Sequence, residues 1–192
     1  MDGSDLAVVA RVRAGEWEAF RILVERHSRS VFRLAFRLTG HEQDAEDVVQ
    51  ETFMRAFRQI GRFEERAAFA TWLYRIAVNC ANDLLRQRPR AGRRTSIDDP
   101  DEPAVRELAD PAAEADPMRV FAGRQIDGRV KAALGGLSDQ ERSAFVMRHY
   151  EGLSIEEIGR VLDLKTSAAK HSVFRAVRKL RRALEPVAEM RA

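Results

Sequence analysis

The sequence predicts an all-α protein: two small helical domains joined by a flexible acidic linker. Three observations predict it. Apolar residues recur at three-to-four spacing from Trp17 to Leu84. A proline-rich acidic stretch then breaks the pattern. Beyond it, two Ser-x-x-Glu boxes lead into one long basic helix. The domains are drawn at residues 1–90 and 118–192, with the linker over 91–117.

The first helix runs from about Asp5 to Arg13, with Ser4 as its N-cap. The second starts near Glu16 and carries a stripe of Trp17, Phe20, Leu23, Val24, His27, Val31, Leu34, Ala35 and Leu38, closed by Gly40. The third covers about Glu42 to Ile60, with Ala45, Val48, Val49, Phe53, Ala56, Phe57 and Ile60 as its apolar face. After the polar loop "GRFEERA", the fourth spans about Ala68 to Arg88, and Pro89 stops it. The stretch "PRAGRRTSIDDPDEPAVRELADPAAEADP" holds five prolines and few bulky apolar residues. It cannot bury enough surface to fold and reads as a tether. Helices resume near Met118 and pause at Gly135-Gly136. "SDQE" and "SIEE" are capping boxes, in which serine and glutamate each satisfy the other's backbone amide. Thr166 or Ser167 can cap the last helix.

Composition excludes several classes. The net charge is only +3, so a nucleic-acid role must rest on where the charges lie. Cys80 is the single cysteine, which excludes an intrachain disulfide and a cysteine-based zinc site. The four histidines lack ligand spacing, so no metal and no cofactor is expected. No apolar run approaches the ~20 residues that span a bilayer, and the N-terminus has no basic region of a secretion signal. These features predict a soluble cytoplasmic protein that does not insert into a membrane.

"KTSAAKHSVFRAVRKLRR" carries seven cations and no acid, where surface helices normally intersperse acids. With the short helix before it, this predicts a helix-turn-helix whose second helix enters a major groove. Ala168 and Ala169 keep its start slim, and Gly159 is small where the two helices should cross. Lys170, His171, Ser172 and Phe174 lie where base edges would be read. Arg175, Arg178, Lys179, Arg181 and Arg182 suit phosphates. In the front half, "DAEDVVQETFMRAF" turns Asp47, Gln50, Glu51 and Arg55 away from the core. Such a face should meet a basic protein surface or water. The fourth helix has Arg75, Asn79, Asn82, Asp83, Arg86 and Arg88 on its polar side, side chains of the kind that read nucleic acid. Asn79 lies at the rim of the stripe, where a base or a backbone carbonyl could partner it.

Taken in this order, "DAEDVVQETFMRAF", "FATWLYRIAVNCANDLLRQ", the acidic tether and "LSIEEIGRVLDLKTSAAKHSVFRAVRKLRRAL" resemble bacterial sigma factors of the extracytoplasmic-function (ECF) type. The resemblance covers nearly the whole chain. It implies a non-catalytic transcription initiation factor that binds core RNA polymerase and promoter DNA, with an anti-sigma factor as a further partner. It places the polymerase contact on Asp47, Gln50 and Glu51. It places −10 element binding on the loop from Gly61 to Ala68 and the helix after it: Arg62, Phe63, Arg66, Asn79, Asn82, Asp83, Arg86 and Arg88. It places −35 element binding on Lys165, Ser167, Lys170, His171, Ser172, Phe174, Arg175 and Arg178. Two positions depart from the family pattern. Ser172, after His171, stands where many relatives have a basic residue, and Asp163 stands where a turn glycine is usual.

Two other readings compete. A dimeric helix-turn-helix regulator acting without polymerase would leave the Asp47-Gln50-Glu51 face without a purpose. A nuclease could use Asp44, Glu46, Asp47 and Glu51, but no second acidic motif converges with them to hold a metal.

Overall fold

In the computed structural model the described residues are 4–65, 67–87 and 133–189, with side chains described through residue 184. The acidic tether and the helix expected from Met118 lie outside them, as do Arg66 and Arg88.

Four helices form the front half: α1 (Asp5–Arg13), α2 (Phe20–Thr39), α3 (Glu42–Gln59) and α4 (Phe69–Gln87). Ser4 caps α1, its hydroxyl accepting from the Ala7 amide at 3.2 Å. Val8, Val9 and Val12 bury one face of α1 against the bundle. Gly40, with φ +73°, ends α2 in a left-handed cap that few other residues adopt cheaply. Leu23, Val31, Leu34 and Ala35 of α2, Ala45 and Val48 of α3, and Leu73 and Ala77 of α4 supply its center.

The second helix does not start at Glu16 as expected. A 3-10 turn over Trp17–Ala19 precedes α2 and changes the phase of the stripe. Trp17 therefore leaves the core. It is 57% exposed and packs edge-on against Phe57, itself partly exposed, at 5.7 Å.

The rear half contains α5 (Asp139–His149), α6 (Ile155–Leu162) and α7 (Thr166–Glu189). Both capping boxes form: Ser138 with Glu141, and Ser154 with Glu157. Helices α5 and α6 both pack on α7. Leu137, Ala176 and Leu180 make a small second cluster at that crossing.

The two halves also pack on each other, which the tether in the sequence did not suggest. Helix α4 meets α6, and α2 meets α5. Val146, Met147, Ile158 and Val161 join the same apolar cluster as Leu34 and Leu73. Polar contacts stud this seam. The Glu151 carboxylate, 4% exposed, accepts from Arg37 at 2.9 Å and from the Tyr74 hydroxyl at 3.2 Å. The Arg37 guanidinium also lies over the Tyr150 ring, 4.5 Å from its center. Arg142 donates to the Leu38 carbonyl at 3.4 Å. Interfaces of this mixed character are typical of domains that can part.

Candidate protein and nucleic-acid interfaces

Helix α3 buries Ala45, Val48 and Phe53, and that spacing turns Asp47, Gln50 and Glu51 outward together. Asp47 and Gln50 are exposed and Glu51 half-buried. Met54, one turn on and 42% exposed, extends the row. A groove of about 460 Å³ runs between α3 and α4, lined by Asp47, Gln50, Glu51, Met54, Arg55 and Asp83. Cys80 also lines it; burial pushes its thiol up, against the opposing pull of the Arg55 guanidinium. Arg55 crosses the groove. Its Nε donates to Glu51 at 2.6 Å and a terminal nitrogen to Asp83 at 3.5 Å. One face thus offers acid, amide and thioether side chains on a rigid helix, which suits a basic protein surface. Arg55 was read from the sequence as part of this outward face, whereas Met54 was not. Met54 follows Gln50 and Glu51 at helical spacing, and that was signal enough.

The second surface is the loop after α3 and the polar side of α4. Arg62 is exposed, at the end of a 3-10 turn over Ile60–Arg62. Phe63 is 3% exposed, with ring centers 5.6 Å from Phe69 and 5.3 Å from Trp72. Its ring is core, so the sequence's assignment of Phe63 to DNA contact is corrected for this arrangement: aromatic packing holds it inside. Asn79 is exposed and Asn82 half-buried on α4. Asp83 is enclosed by two cations, Arg55 at 3.5 Å and Arg86 at 3.6 Å, which offset the charge that would repel DNA. Arg86 is shared with Asp139 of the rear half at 3.6 Å.

The third surface is the α6–α7 pair. The Glu157 carboxylate accepts from the Ser154 amide at 2.8 Å, and the Ser154 hydroxyl accepts from the Glu157 amide at 3.2 Å. Those bonds hold the Glu157 carboxyl below the usual carboxylate range. Gly159, within α6, is required where the turn packs back on the helix. A Cβ there would lie 2.8 Å from the Leu164 carbonyl oxygen. Asp163 follows α6 in the left-handed conformation, φ +56°, where the sequence lacks the usual glycine.

On α7, Ala169, Ser172, Ala176 and Leu180 face inward. Lys165, Ser167, Lys170, His171, Phe174, Arg175 and Arg178 are exposed on or beside the opposite face. Phe174, at 65%, is the most exposed large apolar residue described. Ser172 is a correction. It is fully buried, and its hydroxyl donates to the Ala168 carbonyl at 2.9 Å and accepts from Gln140 at 2.6 Å. Three-to-four spacing from Ala169 and Ala176 turns it away from any groove. Two cations are partly committed inward. The Glu141 carboxylate accepts from Lys179 at 2.7 Å and lies 3.6 Å from Arg175. Burial pushes the Glu141 carboxyl up, but Lys179 and the Ser138 amide outweigh it and leave it below its ordinary range.

Among the described residues, no three or more His, Cys, Asp or Glu side chains gather as a metal site. No helix among them is long and apolar enough to cross a membrane.

Comparison with known proteins gives two family matches. Residues 23–91 match Sigma-70 region 2, and residues 127–180 match Sigma-70 region 4. The RNA polymerase sigma-H factor of Pseudomonas aeruginosa is 34% identical over 191 residues, 95% of each chain. The ECF RNA polymerase sigma-E factor of Haemophilus influenzae is 32% identical, over 96% of this chain and 97% of that one. Among solved structures, that of CnrH in complex with the cytosolic domain of CnrY superposes with a TM-score of 0.68 at 28% identity. The match covers 95% of this chain and 97% of CnrH.

Proposed function

The chain belongs to the ECF sigma factors, and on that premise we propose which of its surfaces meet the polymerase and which meet the promoter. It binds core RNA polymerase and directs promoter-specific initiation through −10 and −35 elements. The matches do not favour a dimeric regulator acting without polymerase. Members of this family are not known as enzymes.

The outward row of Asp47, Gln50, Glu51 and Met54 docks on a basic, partly apolar surface of the polymerase. The loop carrying Arg62, with Asn79, Asn82 and Arg86 on α4, takes the −10 strand. Exposed Lys170, His171, Phe174 and Arg178, with Arg175 beside them, take the −35 groove. The observation that carries this reading is the segregation of charge. Asp47 and Glu51 of α3 point out of one half, and the acid-free face of α7 points out of the other.

Flipping a base out of the duplex costs a few kcal/mol, and stacking in a pocket returns ~1–3 kcal/mol per base. Phosphate contacts and the polymerase supply the rest, so the free protein binds promoters weakly and the holoenzyme binds them tightly. Two elements about one and a half turns apart are ~50 Å apart, at ~34 Å per turn. The packed halves touch, so they part before both elements are held. The chain between Gln87 and Ala133 is ample for that at ~3.4 Å per residue. Linkage then makes the second contact intramolecular. That CnrH is seen in complex with a second protein supports a third partner here, an anti-sigma factor.

The deciding experiment reverses charge at Asp47→Lys and Glu51→Lys and measures core binding and start-site selection in vitro. Loss of both supports the docking row. Unchanged association and start sites remove it.

A further inference from the structure

Arg13 ends α1, far in sequence from the loop that precedes α4, yet its guanidinium binds that loop at three points. Its Nε donates to the Ile60 carbonyl at 3.2 Å, one terminal nitrogen donates to the Phe63 carbonyl, and the other donates to the Glu65 carboxylate at 3.0 Å. The two carbonyls bracket Arg62, which is exposed between them. Glu65 stands in the left-handed region at φ +60°, a conformation that costs a non-glycine residue energy and persists only where its surroundings fix it. The ion pair to Arg13 is one such tie. The buried Phe63 ring, held by Phe69 and Trp72, is another.

A planar fork with five donors can serve three acceptors at once; an ammonium on a flexible stem cannot hold that geometry. The Arg13–Glu65 pair alone, partly exposed on both sides, would contribute little. What distinguishes Arg13 is that the same group also donates to two backbone carbonyls of the loop: that of Phe63, and that of Ile60, which also accepts from the Phe63 amide at 3.3 Å.

We infer that Arg13 is a positioning residue for −10 strand capture: from α1, it preforms the loop that presents Arg62. The inference rests on the proposed assignment of that loop to the −10 strand. Arg13 itself touches no base. It keeps the loop in the receiving shape before DNA arrives, so that binding does not have to order it.

The test uses full-length protein assembled with saturating core polymerase. Promoter opening is followed on a matched promoter and on promoters substituted in either the −10 or the −35 element. Arg13→Lys keeps the charge and the helix. It should lower −10 discrimination about tenfold, the fold-change expected from one or two lost hydrogen bonds, while −35 discrimination and core affinity stay within about twofold. Arg62→Ala runs beside it. If Arg62→Ala flattens −10 discrimination and Arg13→Lys does not, the strap is overturned and the loop assignment stands. If Arg13→Lys weakens −35 discrimination and core affinity as much as −10 discrimination, Arg13 is merely structural and the inference is overturned. If neither variant changes −10 discrimination, the loop assignment itself fails, and the strap with it.

Discussion

Arg37 on α2 donates to Glu151, just beyond α5, at 2.9 Å, and so ties the front half of the chain to the rear. Tyr74 of α4 donates to the other oxygen of the same carboxylate. A carboxylate 4% exposed is stable only while these partners stay with it. Opening the seam returns all three groups to water, which makes this a contact that can be released. Glu151→Ala should weaken the packed form by about 1.5–3 kcal/mol, the range for hydrogen bonds to a charged group. Small-angle scattering of the free protein should then show a larger radius of gyration. An unchanged radius would mean that the apolar part of the seam holds the halves without Glu151.

The two capping boxes make the rear half acid-sensitive. Glu141 and Glu157 both have carboxyl groups held below their ordinary range in the fold. Groups of that kind contribute stability above the unfolded pKa, roughly 4.3 for glutamate, and lose it as pH falls through the lower folded value. Helicity measured by circular dichroism during thermal unfolding should therefore be flat from neutral pH to about 5, then fall. Glu157→Gln should flatten part of that slope, because an amide can still accept from the Ser154 backbone but does not titrate. It should cost about 1 kcal/mol or less at neutral pH. A melting temperature with the same acid slope in Glu157→Gln would rule out its share.

Ser172 and Phe174 lie two residues apart on α7 and should respond oppositely. Ser172→Arg would force a cation into a fully buried site whose hydroxyl now bonds Gln140 and Ala168. It should destabilise the rear half by roughly 3 kcal/mol or more rather than add a DNA contact. Phe174→Ala removes an exposed ring, so stability should hold. Its −35 affinity should fall about tenfold, as for a lost apolar contact to a thymine methyl. Melting curves and promoter binding by holoenzyme separate the two. A stable Ser172→Arg protein with altered −35 preference would show that α7 rotates from the position seen here.

What could be read from the sequence was local. The Ser-x-x-Glu boxes close within four residues, so their bonds are implied by the letters themselves. The α3 row could be read because its neighbors Ala45, Val48 and Phe53 fix the inward face. Ser172 was misplaced because its nearness to the start of α7 was read as a groove position, although Ala169 and Ala176 at three-to-four spacing already put it inside. Trp17 went the other way, since a 3-10 turn shifted the period that the stripe assumed. Arg13 and Glu151 carried no signal. Their partners are 50 and 114 residues away, and only the folded chain brings them together.

The α6–α7 turn offers a last test, because two constraints on it, Asp163 at its start and Gly159 in α6 beneath it, predict opposite effects of removing and adding a Cβ. Asp163 holds φ +56° and ψ +48°, which costs an L-residue roughly 1–2 kcal/mol relative to a right-handed conformation. Its side chain is almost fully exposed, and its ion pair to Arg75, at 3.9 Å, contributes little. Asp163→Gly should therefore stabilise the protein by about 0.5–1 kcal/mol, after allowance for the greater freedom of glycine in the unfolded chain. Asp163→Val should lose roughly 1–2 kcal/mol. Gly159→Ala acts through space rather than dihedral angle. Its Cβ would sit 2.8 Å from a backbone oxygen, so the turn itself must shift, and with it the start of α7. Chemical denaturation should rank Asp163→Gly as the most stable, then the wild type, then Asp163→Val. Gly159→Ala alone should also change −35 affinity, because it moves the frame of the reading helix instead of only straining its cap.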